Sequence, residues 1–217
     1  MLSPAAVREF HREVEREASQ TLVARLKAGD ATAFDEVYES YHRRVYAFVA
    51  RMVRRQDVAE DMLQETWLRL AAHAPRLRDD TELGAWLFTV ARNLCRSYHR
   101  WRVLDSERLG EFSLRRDQTG TTPYDRAAAN QLELHLEQAL AKLSPKYREV
   151  VLLVTIERMT PTEAASILGV KPDTLRQRLA RARAMIAKSL GDLVVDDTGR
   201  PSKNARRKPK PGKRKAG

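Results

Sequence analysis

The sequence has little of what other fold classes need. A single cysteine, Cys95, excludes an internal disulfide, and the five histidines show no spacing typical of a metal site. Only 6% of residues are aromatic and three are isoleucine, with nine glycines and nine prolines, against 28 alanines and 25 leucines. Because good helix formers dominate and strand formers are scarce, we expect an all-α protein without metal or cofactor.

Long apolar runs are also missing. The uncharged run near the predicted core at residues 150–156 is far too short to cross a bilayer. The N-terminus alternates charges where a signal peptide would be apolar. These absences predict a cytoplasmic protein with no membrane insertion.

The positive charge is concentrated at one end of the chain. Of the formal net charge of +11, nine positive charges come from residues 198–217, which hold no Asp or Glu, so the rest carries only +2. The overall charge therefore says little about the folded part. The tail itself is compatible with nonspecific DNA affinity or with no specific role.

Periodicity divides the chain into two helical domains. Gly110, Gly120 and Pro123 lie in a stretch without helical periodicity, typical of a flexible linker. The predicted order is a helical extension at 1–20, a first domain at 21–102, a linker at 103–125, a second domain at 126–191, and a disordered basic tail at 192–217.

The second domain contains a predicted helix-turn-helix. Thr160 is placed as an N-cap, with Pro161 at the first helical position and Glu163 completing a capping box. Gly169 suits the left-handed conformation that ends a helix, and Pro172 opens the next one. Lys171 takes the N-cap position of this second helix, where a small polar residue is usual, and Asp173 can compensate near the positive helix end.

The second helix of this pair has two distinct faces. An apolar stripe is formed by Leu175, Leu179, Ala182 and Ile186. The other side carries Asp173, Gln177, Ala180 and Arg181, flanked by Thr174, Arg176 and Arg178. Arg and Gln can contact base edges in the major groove, which favours DNA binding. The alternative is an αα-hairpin with an ordinary solvated face.

The first domain holds two helices of opposite charge. One carries an acidic arc of Asp57, Glu60, Asp61, Gln64 and Glu65, which would repel phosphate. From composition alone, this arc faces either water or a basic protein partner, and water is the more common case. The other helix, residues 85–102, has no acid and carries Arg92, Arg96, His99 and Arg100 on one face.

Aromatic residues are interleaved with these basic ones. Such a pattern suits single-stranded or partly opened nucleic acid, because cations follow phosphates and rings stack on bases. We expect Trp67, Phe88 and Tyr98 to pack in the core. For Trp86 and Trp101, core packing and stacking on bases are about equally expected. Cys95, on the apolar side of its helix, is expected to be a buried hydrophobe rather than a redox sensor.

The order of these segments resembles the sigma-70 family of bacterial RNA polymerase initiation factors, in particular the extracytoplasmic-function group. The resemblance covers about residues 21–190 and rests on four segments: DxAEDxxQExW from residue 57, AWLFTVARN from residue 85, LSPKYREVVLL from residue 143 and LRQRLARAR from residue 175. It implies two sigma domains, regions 2 and 4, and a factor that directs the polymerase to promoters without being an enzyme.

The resemblance also implies three sets of binding residues. Contacts to the β′ clamp helices of core RNA polymerase would be made by Asp57, Asp61, Gln64 and Glu65. The loop 75–84 and the following helix would recognise the minus-10 element, through Trp86, Arg92, Asn93, Arg96, His99 and Arg100. The minus-35 element would be contacted by Lys171, Thr174, Arg176, Gln177, Arg178 and Arg181.

Further partners follow from the same resemblance: the β flap of the polymerase, promoter DNA and an anti-sigma factor. The main alternative is a helix-turn-helix regulator that binds an operator, which leaves the order of the acidic and basic helices without a reason. A helical hydrolase or nuclease would need clustered carboxylates or histidines beside a pocket, and the sequence shows no such constellation.

Overall fold

A computed structural model describes residues 21–108 and 131–193 of the chain. The extension predicted for residues 1–20 lies outside the described residues, as do residues 109–125 of the predicted linker and residues 194–217 of the predicted tail. Within the described ranges all regular elements are helices and no strand is present. The prediction of an all-α fold is confirmed.

The first domain consists of three long helices preceded by a helical segment at residues 21–27. These are α1 (Ala31–Val53), α2 (Gln56–His73) and α3 (Leu83–Arg108), with a short 3-10 turn at Ala74–Arg76. The second domain contains α4 (Gln131–Lys142), α5 (Pro145–Val151), a π-helical turn (Leu152–Ile156), α6 (Pro161–Leu168) and α7 (Pro172–Leu193).

Local sequence fixes both ends of α1. The Asp30 carboxylate accepts hydrogen bonds from the backbone N–H groups of Thr32 and Ala33, as an N-cap does. Hydrogen bonds from Thr32 and then from Arg25 lower the pKa of Asp30 to about 2. At the other end Arg54 takes the left-handed conformation with φ 59°, which stops the helix and turns the chain into α2.

The helix-turn-helix forms as its capping residues predict. Thr160 Oγ1 accepts from the backbone N–H of Glu163 at 3.2 Å, and Glu163 Oε2 accepts from the backbone N–H of Thr160 at 2.7 Å. This is the predicted capping box. Gly169 ends α6 with φ 61°, a conformation that a side chain would strain.

Apolar residues from all three helices fill the core of the first domain. Phe48 of α1 meets Phe88 of α3 edge to face, with ring centroids 5.5 Å apart. Trp67 of α2 is buried and lies 6.0 Å from Phe34. Cys95 is fully buried, as predicted, with its Sγ 3.9 Å from Met62 Sδ.

Helix α3 is longer than the sequence pattern indicates. The linker is predicted to begin at Val103, but the helix continues through Arg108. Residues 103–108 contain no glycine or proline, and the first of these after α3 is Gly110. Loss of apolar periodicity therefore does not mark the end of this helix.

The two domains pack against each other instead of being separate bodies. Buried apolar residues of both domains form one continuous cluster, and α3 contacts α6 while α1 contacts α5. Across this contact Arg44 pairs with Glu157 at 2.9 Å, and Arg51 pairs with Glu137 at 2.8 Å. The sequence predicts a linker between the domains but contains no signal for this docking.

Candidate functional site

The acidic residues of α2 form an exposed stripe along one side of the helix. Asp57, Glu60, Asp61 and Gln64 are exposed and Glu65 is half-buried, and we refer to these five residues as the acidic stripe. Hydrogen bonding to Arg55 lowers the pKa of Asp57. Glu65 pairs with Arg69 one turn later at 2.7 Å. The stripe therefore faces outward, as expected from the helical wheel.

An apolar groove lies beside the acidic stripe, between α1 and α2. Its volume is about 320 Å³. Tyr38 and Leu68, which line it, are 39% and 57% exposed, and Tyr38 stacks on His42 with centroids 4.9 Å apart. The other lining residues are Phe34, Glu60, Leu63, Gln64, Trp67 and Ala71. Because Glu60 and Gln64 belong to both surfaces, the stripe and the groove form one amphipathic face.

The α1 side of this face is not among the residues predicted from the sequence. Phe34 and Tyr38 are one helical turn apart and line the groove. Their spacing at i and i+4 is a usable signal of a shared face. The same spacing occurs in residues that line a groove and in residues that pack in a core. Only the position of α2 in the structure distinguishes the two cases.

Helix α3 divides its basic residues between two environments. Asn93, Arg96 and Arg100 are exposed, and Trp101 is 62% exposed near them in sequence. Trp86, at the start of the helix, is half-buried and lies 6.1 Å from His73 between ring centroids. The exposed part combines cations with an aromatic ring, a combination suited to single-stranded nucleic acid.

Arg92 and His99 lie in a different environment, although they share a helical face with Arg96 and Arg100 in the wheel. Arg92 is only 7% exposed, with its Nε 3.1 Å from Glu149 Oε2 in the second domain. His99 is half-buried, and its Nε2–H donates to the carbonyl oxygen of Met52 at 3.2 Å. The second domain therefore covers Arg92, whereas the hydrogen bond of His99 lies within the first domain.

Burial also changes the acid–base behaviour of His99. Desolvation lowers its pKa, and the positive charges of Arg148 and Arg102 lower it further, against the opposing hydrogen bond to Met52. The ring is therefore neutral at neutral pH. A neutral His99 supplies a hydrogen bond in the folded chain but no cation for a phosphate.

Helix α7 presents the two faces that its sequence predicts. Leu175, Leu179 and Ala182 are buried and Ile186 is half-buried. On the candidate DNA side Lys171, Arg176, Gln177 and Arg181 are exposed, whereas Thr174 and Arg178 are half-buried. The predicted apolar stripe is confirmed. Asp173 lies beside Arg176 and forms a salt bridge with it, so its charge is partly offset within the first turn.

Glu149 is a charged residue that sequence analysis missed. It is 5% exposed, and its second carboxylate oxygen lies 4.0 Å from Arg178 Nη1. Arg92 and Glu149 are 57 positions apart, and no local pattern marks either of them as a partner of the other. Such pairs become visible only when the domains are placed together.

Two family models match the chain, one for each domain. The model for Sigma-70 region 2 matches residues 37–103, and the model for Sigma-70, region 4 matches residues 134–186. The RNA polymerase sigma factor CarQ of Myxococcus xanthus is 31% identical over 176 residues, which cover 79% of this chain and 97% of CarQ. The chain belongs to the sigma-70 family of RNA polymerase sigma factors.

Other relatives place this sigma factor in the extracytoplasmic-function group. The ECF sigma factor EcfG of Rhodopseudomonas palustris is 33% identical over 162 residues, covering 71% of this chain and 86% of EcfG. The sigma factor RpoE of Bartonella quintana, solved in complex with the anti-sigma factor NepR, is 28% identical. The matched part covers 72% of this chain and 96% of the RpoE chain, with a TM-score of 0.60.

The two sigma-70 regions correspond to the two helical domains of the structure. Region 2 spans most of α1, all of α2 and most of α3, and region 4 spans the helices that include the helix-turn-helix. The sigma factor is thus a transcription initiation factor that binds RNA polymerase and directs it to promoter DNA.

The described residues contain neither a metal-binding cluster nor a membrane-spanning helix. Between residues 21 and 108 and between 131 and 193, no group of three or more His, Cys, Asp or Glu side chains could hold a metal ion. Over the same ranges, none of the helices combines the length and the apolar character that crossing a membrane requires.

Proposed function

We propose that this sigma factor binds core RNA polymerase through the acidic stripe of α2 and recognises promoter DNA through α3 and α7. The stripe would meet the β′ clamp helices, with Asp57, Asp61, Gln64 and Glu65 as contacts. A basic partner removes the electrostatic penalty of placing acidic residues within a protein that binds DNA. The adjacent apolar groove supports this assignment, because a stable interface needs an apolar centre beside its polar rim.

The minus-10 contacts are proposed on α3. Asn93, Arg96 and Arg100 are exposed there and can meet separated strands, while Trp86 is half-buried at the start of the helix. Holding one flipped base requires unstacking, which costs a few kcal/mol that binding energy must offset. Arg92 and His99 belong to the same proposed set, and Arg92 becomes accessible only when the domains separate.

The minus-35 contacts are proposed on α7. Exposed Gln177 and Arg181 can reach base edges in the major groove, and Lys171, Thr174, Arg176 and Arg178 surround them. The observation that carries the whole proposal is the separation of charge over these helices. An exposed acidic face lies on α2, whereas exposed basic and amide groups lie on α3 and α7.

The same proposal covers the remaining features of the function. The factor acts by binding and positioning rather than by catalysis, and the polymerase, contacted also through its β flap, supplies the chemistry. It works in the cytoplasm. An anti-sigma factor is a proposed further partner, because RpoE of Bartonella quintana, the structural relative with a TM-score of 0.60, was solved with one.

Co-migration with bacterial core RNA polymerase on gel filtration tests the proposal. We expect the wild-type chain to co-migrate and an Asp61→Ala, Gln64→Ala double variant to lose this association. A matched control is Glu133→Ala, Gln138→Ala, which removes an exposed acid and an exposed amide from α4. The control should co-migrate like the wild type.

The alternative function gives a different result. A wild-type chain that never co-migrates with core polymerase, yet shifts duplex DNA by itself, would be an operator-binding regulator. Equal co-migration of the double variant and the wild type would remove the acidic stripe from the polymerase interface.

A further inference from the structure

Glu149 lies between two arginines that belong to different candidate DNA surfaces. Its Oε2 is 3.1 Å from Nε of Arg92, on α3 of the first domain. Its Oε1 is 4.0 Å from Nη1 of Arg178, on α7 of the second domain. A single carboxylate thus faces one residue of the proposed minus-10 set and one of the proposed minus-35 set.

Burial makes this arrangement specific. Arg92 and Glu149 are 7% and 5% exposed, and Arg92 Nη1 also donates to the carbonyl oxygen of Ile167 at 3.3 Å. A buried carboxylate that loses its cation is strongly unfavourable, so Glu149 holds Arg92 in place. The contact to Ile167 lies near the end of α6, the first helix of the helix-turn-helix.

The same contact prevents Arg92 from binding nucleic acid. A guanidinium that is almost fully buried between two domains cannot approach a phosphate or a base without a separation of those domains. The Arg178 side chain is 29% exposed and can therefore still reach solvent. The nearby Glu149 carboxylate offsets part of its positive charge.

We infer that Glu149 is an internal counter-ion that holds the chain in a closed arrangement and withholds Arg92 and Arg178 from promoter DNA. The carboxylate occupies the place that a DNA phosphate would take beside each arginine. Simultaneous binding of both promoter elements then requires the domains to separate. This inference rests on the proposed function for its DNA part, whereas the closing role of Glu149 stands on the geometry alone.

The interface offers a matched control. Glu137 forms another of the ion pairs between the domains, with Arg51 of the first domain, at 2.8 Å. Both side chains are about one-third exposed and neither belongs to a proposed DNA set. Exposed pairs contribute little to stability. Glu137→Gln removes the same charge as Glu149→Gln, so a general gain in positive charge affects both variants equally.

The first measurement is the distance between the domains in the full chain without partners. Dyes attached at Ala72→Cys and Ala187→Cys, two exposed positions in the two domains, would report it by single-molecule energy transfer. Buried Cys95 remains unlabelled. We expect Glu149→Gln to create a population with lower transfer efficiency, and Glu137→Gln to stay close to the wild type.

The second measurement is affinity for a fork DNA, a duplex with one single-stranded end, over a range of salt concentrations. We expect Glu149→Gln to bind roughly tenfold more tightly than Glu137→Gln at low salt, with a salt slope steeper by about 1 to 2 as further phosphates are neutralised. Thermal unfolding shows whether Glu149→Gln folds. If it does not, Glu149→Asp keeps the charge, shortens its reach and should give a smaller change in the same direction.

Separate outcomes distinguish the inference from the proposed function. Unchanged energy transfer in a folded Glu149 variant would overturn the closing role, even if the chain co-migrates with core polymerase and the proposed function stands. Separation of the domains without any gain in DNA affinity over Glu137→Gln would overturn the withholding of the two arginines. A wild-type chain that fails to bind core polymerase would overturn the proposed function instead, leaving the energy-transfer result as the test of closure.

Discussion

Arg148 of α5 donates a hydrogen bond from Nη1 to the carbonyl oxygen of Met52, 96 positions earlier in the chain, at 3.2 Å. The same guanidinium donates to the carbonyl of Arg51, and to three carbonyls at the end of α4, those of Leu140, Ala141 and Leu143. The last carbonyls of a helix have no partner within it. One side chain therefore satisfies the ends of two helices from two domains.

Arg148→Met is expected to destabilise the chain by roughly 3 kcal/mol or more, because it removes all five hydrogen bonds that this guanidinium donates to carbonyls of the two domains. Burial and, to a smaller extent, the charge of Arg54 lower the pKa of Arg148 to about 10. The guanidinium is therefore still a cation at neutral pH. Urea unfolding followed by circular dichroism measures the change. Arg148→Lys retains the charge but not the fork of donors, and should recover only part of the loss.

Equal stability of Arg148→Met and the wild type would show that water satisfies these carbonyls. A loss of similar size in both variants would mean that the planar donor geometry, not the charge, is what the interface requires.

The sequence predicts local features of this fold well. The capping box at Thr160, the left-handed Gly169 and the apolar stripe of α7 each depend on neighbours within a few positions. The all-α class follows from the abundance of alanine and leucine. The acidic stripe is also visible, because it needs only the period of one helix.

The contact between the domains could not be predicted in the same way. Arg92 looks like an exposed cation when only α3 is considered, and its burial depends on Glu149 and Ile167 in another domain. Arg148 is likewise one more basic residue in its segment until α1 is placed beside it. Contacts over such separations leave no periodic trace in one sequence.

Thr160→Ala should destabilise the second domain by about 1 kcal/mol through loss of the N-cap of α6. The substitution removes the hydrogen bond accepted by Thr160 Oγ1 and leaves the one donated by the Thr160 backbone N–H. Thermal or urea unfolding provides the measurement. Thr162→Ala, an exposed change in the same helical turn, is the control and should have a much smaller effect. Equal effects of the two changes would attribute the loss to helix propensity rather than to capping.

His99 should make stability fall as the pH is lowered through its ordinary pKa of 6.5. Burial depresses the pKa in the folded chain, so in this window the unfolded chain binds the proton first, which favours unfolding. The loss levels off once the pH is below the folded pKa. His99→Gln, which keeps a neutral donor for the Met52 carbonyl, should lack this component.

Comparison of the two proteins isolates His99 from the other histidines. The free energy of unfolding is measured in urea at intervals from pH 8 to pH 5 for both. The wild type should lose stability relative to His99→Gln below pH 6.5. Parallel curves would show that the ring titrates as an exposed histidine does.

Cys95 should be unreactive in the native protein. Burial raises the pKa of its thiol from 9.0 to about 12, which reduces the thiolate fraction on the order of a thousandfold. Ellman's reagent at pH 8 should therefore label the native chain very slowly and the urea-unfolded chain at once. Ala72→Cys supplies an exposed thiol as the positive control. Rapid labelling of native wild-type protein would indicate frequent opening of the first domain.

Gln177→Ala should weaken sequence discrimination by the helix-turn-helix without changing the salt dependence of binding. Gln177 is exposed on the candidate DNA face of α7, and an amide can form two hydrogen bonds with an adenine edge, worth about 1 to 3 kcal/mol. Because the amide is uncharged, no counter-ion is released when it binds, and the slope against salt should stay that of the wild type.

Selection of tight binders from a randomised duplex, carried out with the polymerase-bound factor, would measure this preference. We expect the variant to accept any base at one position at which the wild type requires adenine, with the remaining preferences intact. Gln138→Ala, an exposed amide on α4, is the control and should select the same sequences as the wild type. An unchanged preference in Gln177→Ala would move base recognition to the arginines of α7, and a reduced salt slope would mean that the substitution had displaced one of those arginines from a phosphate.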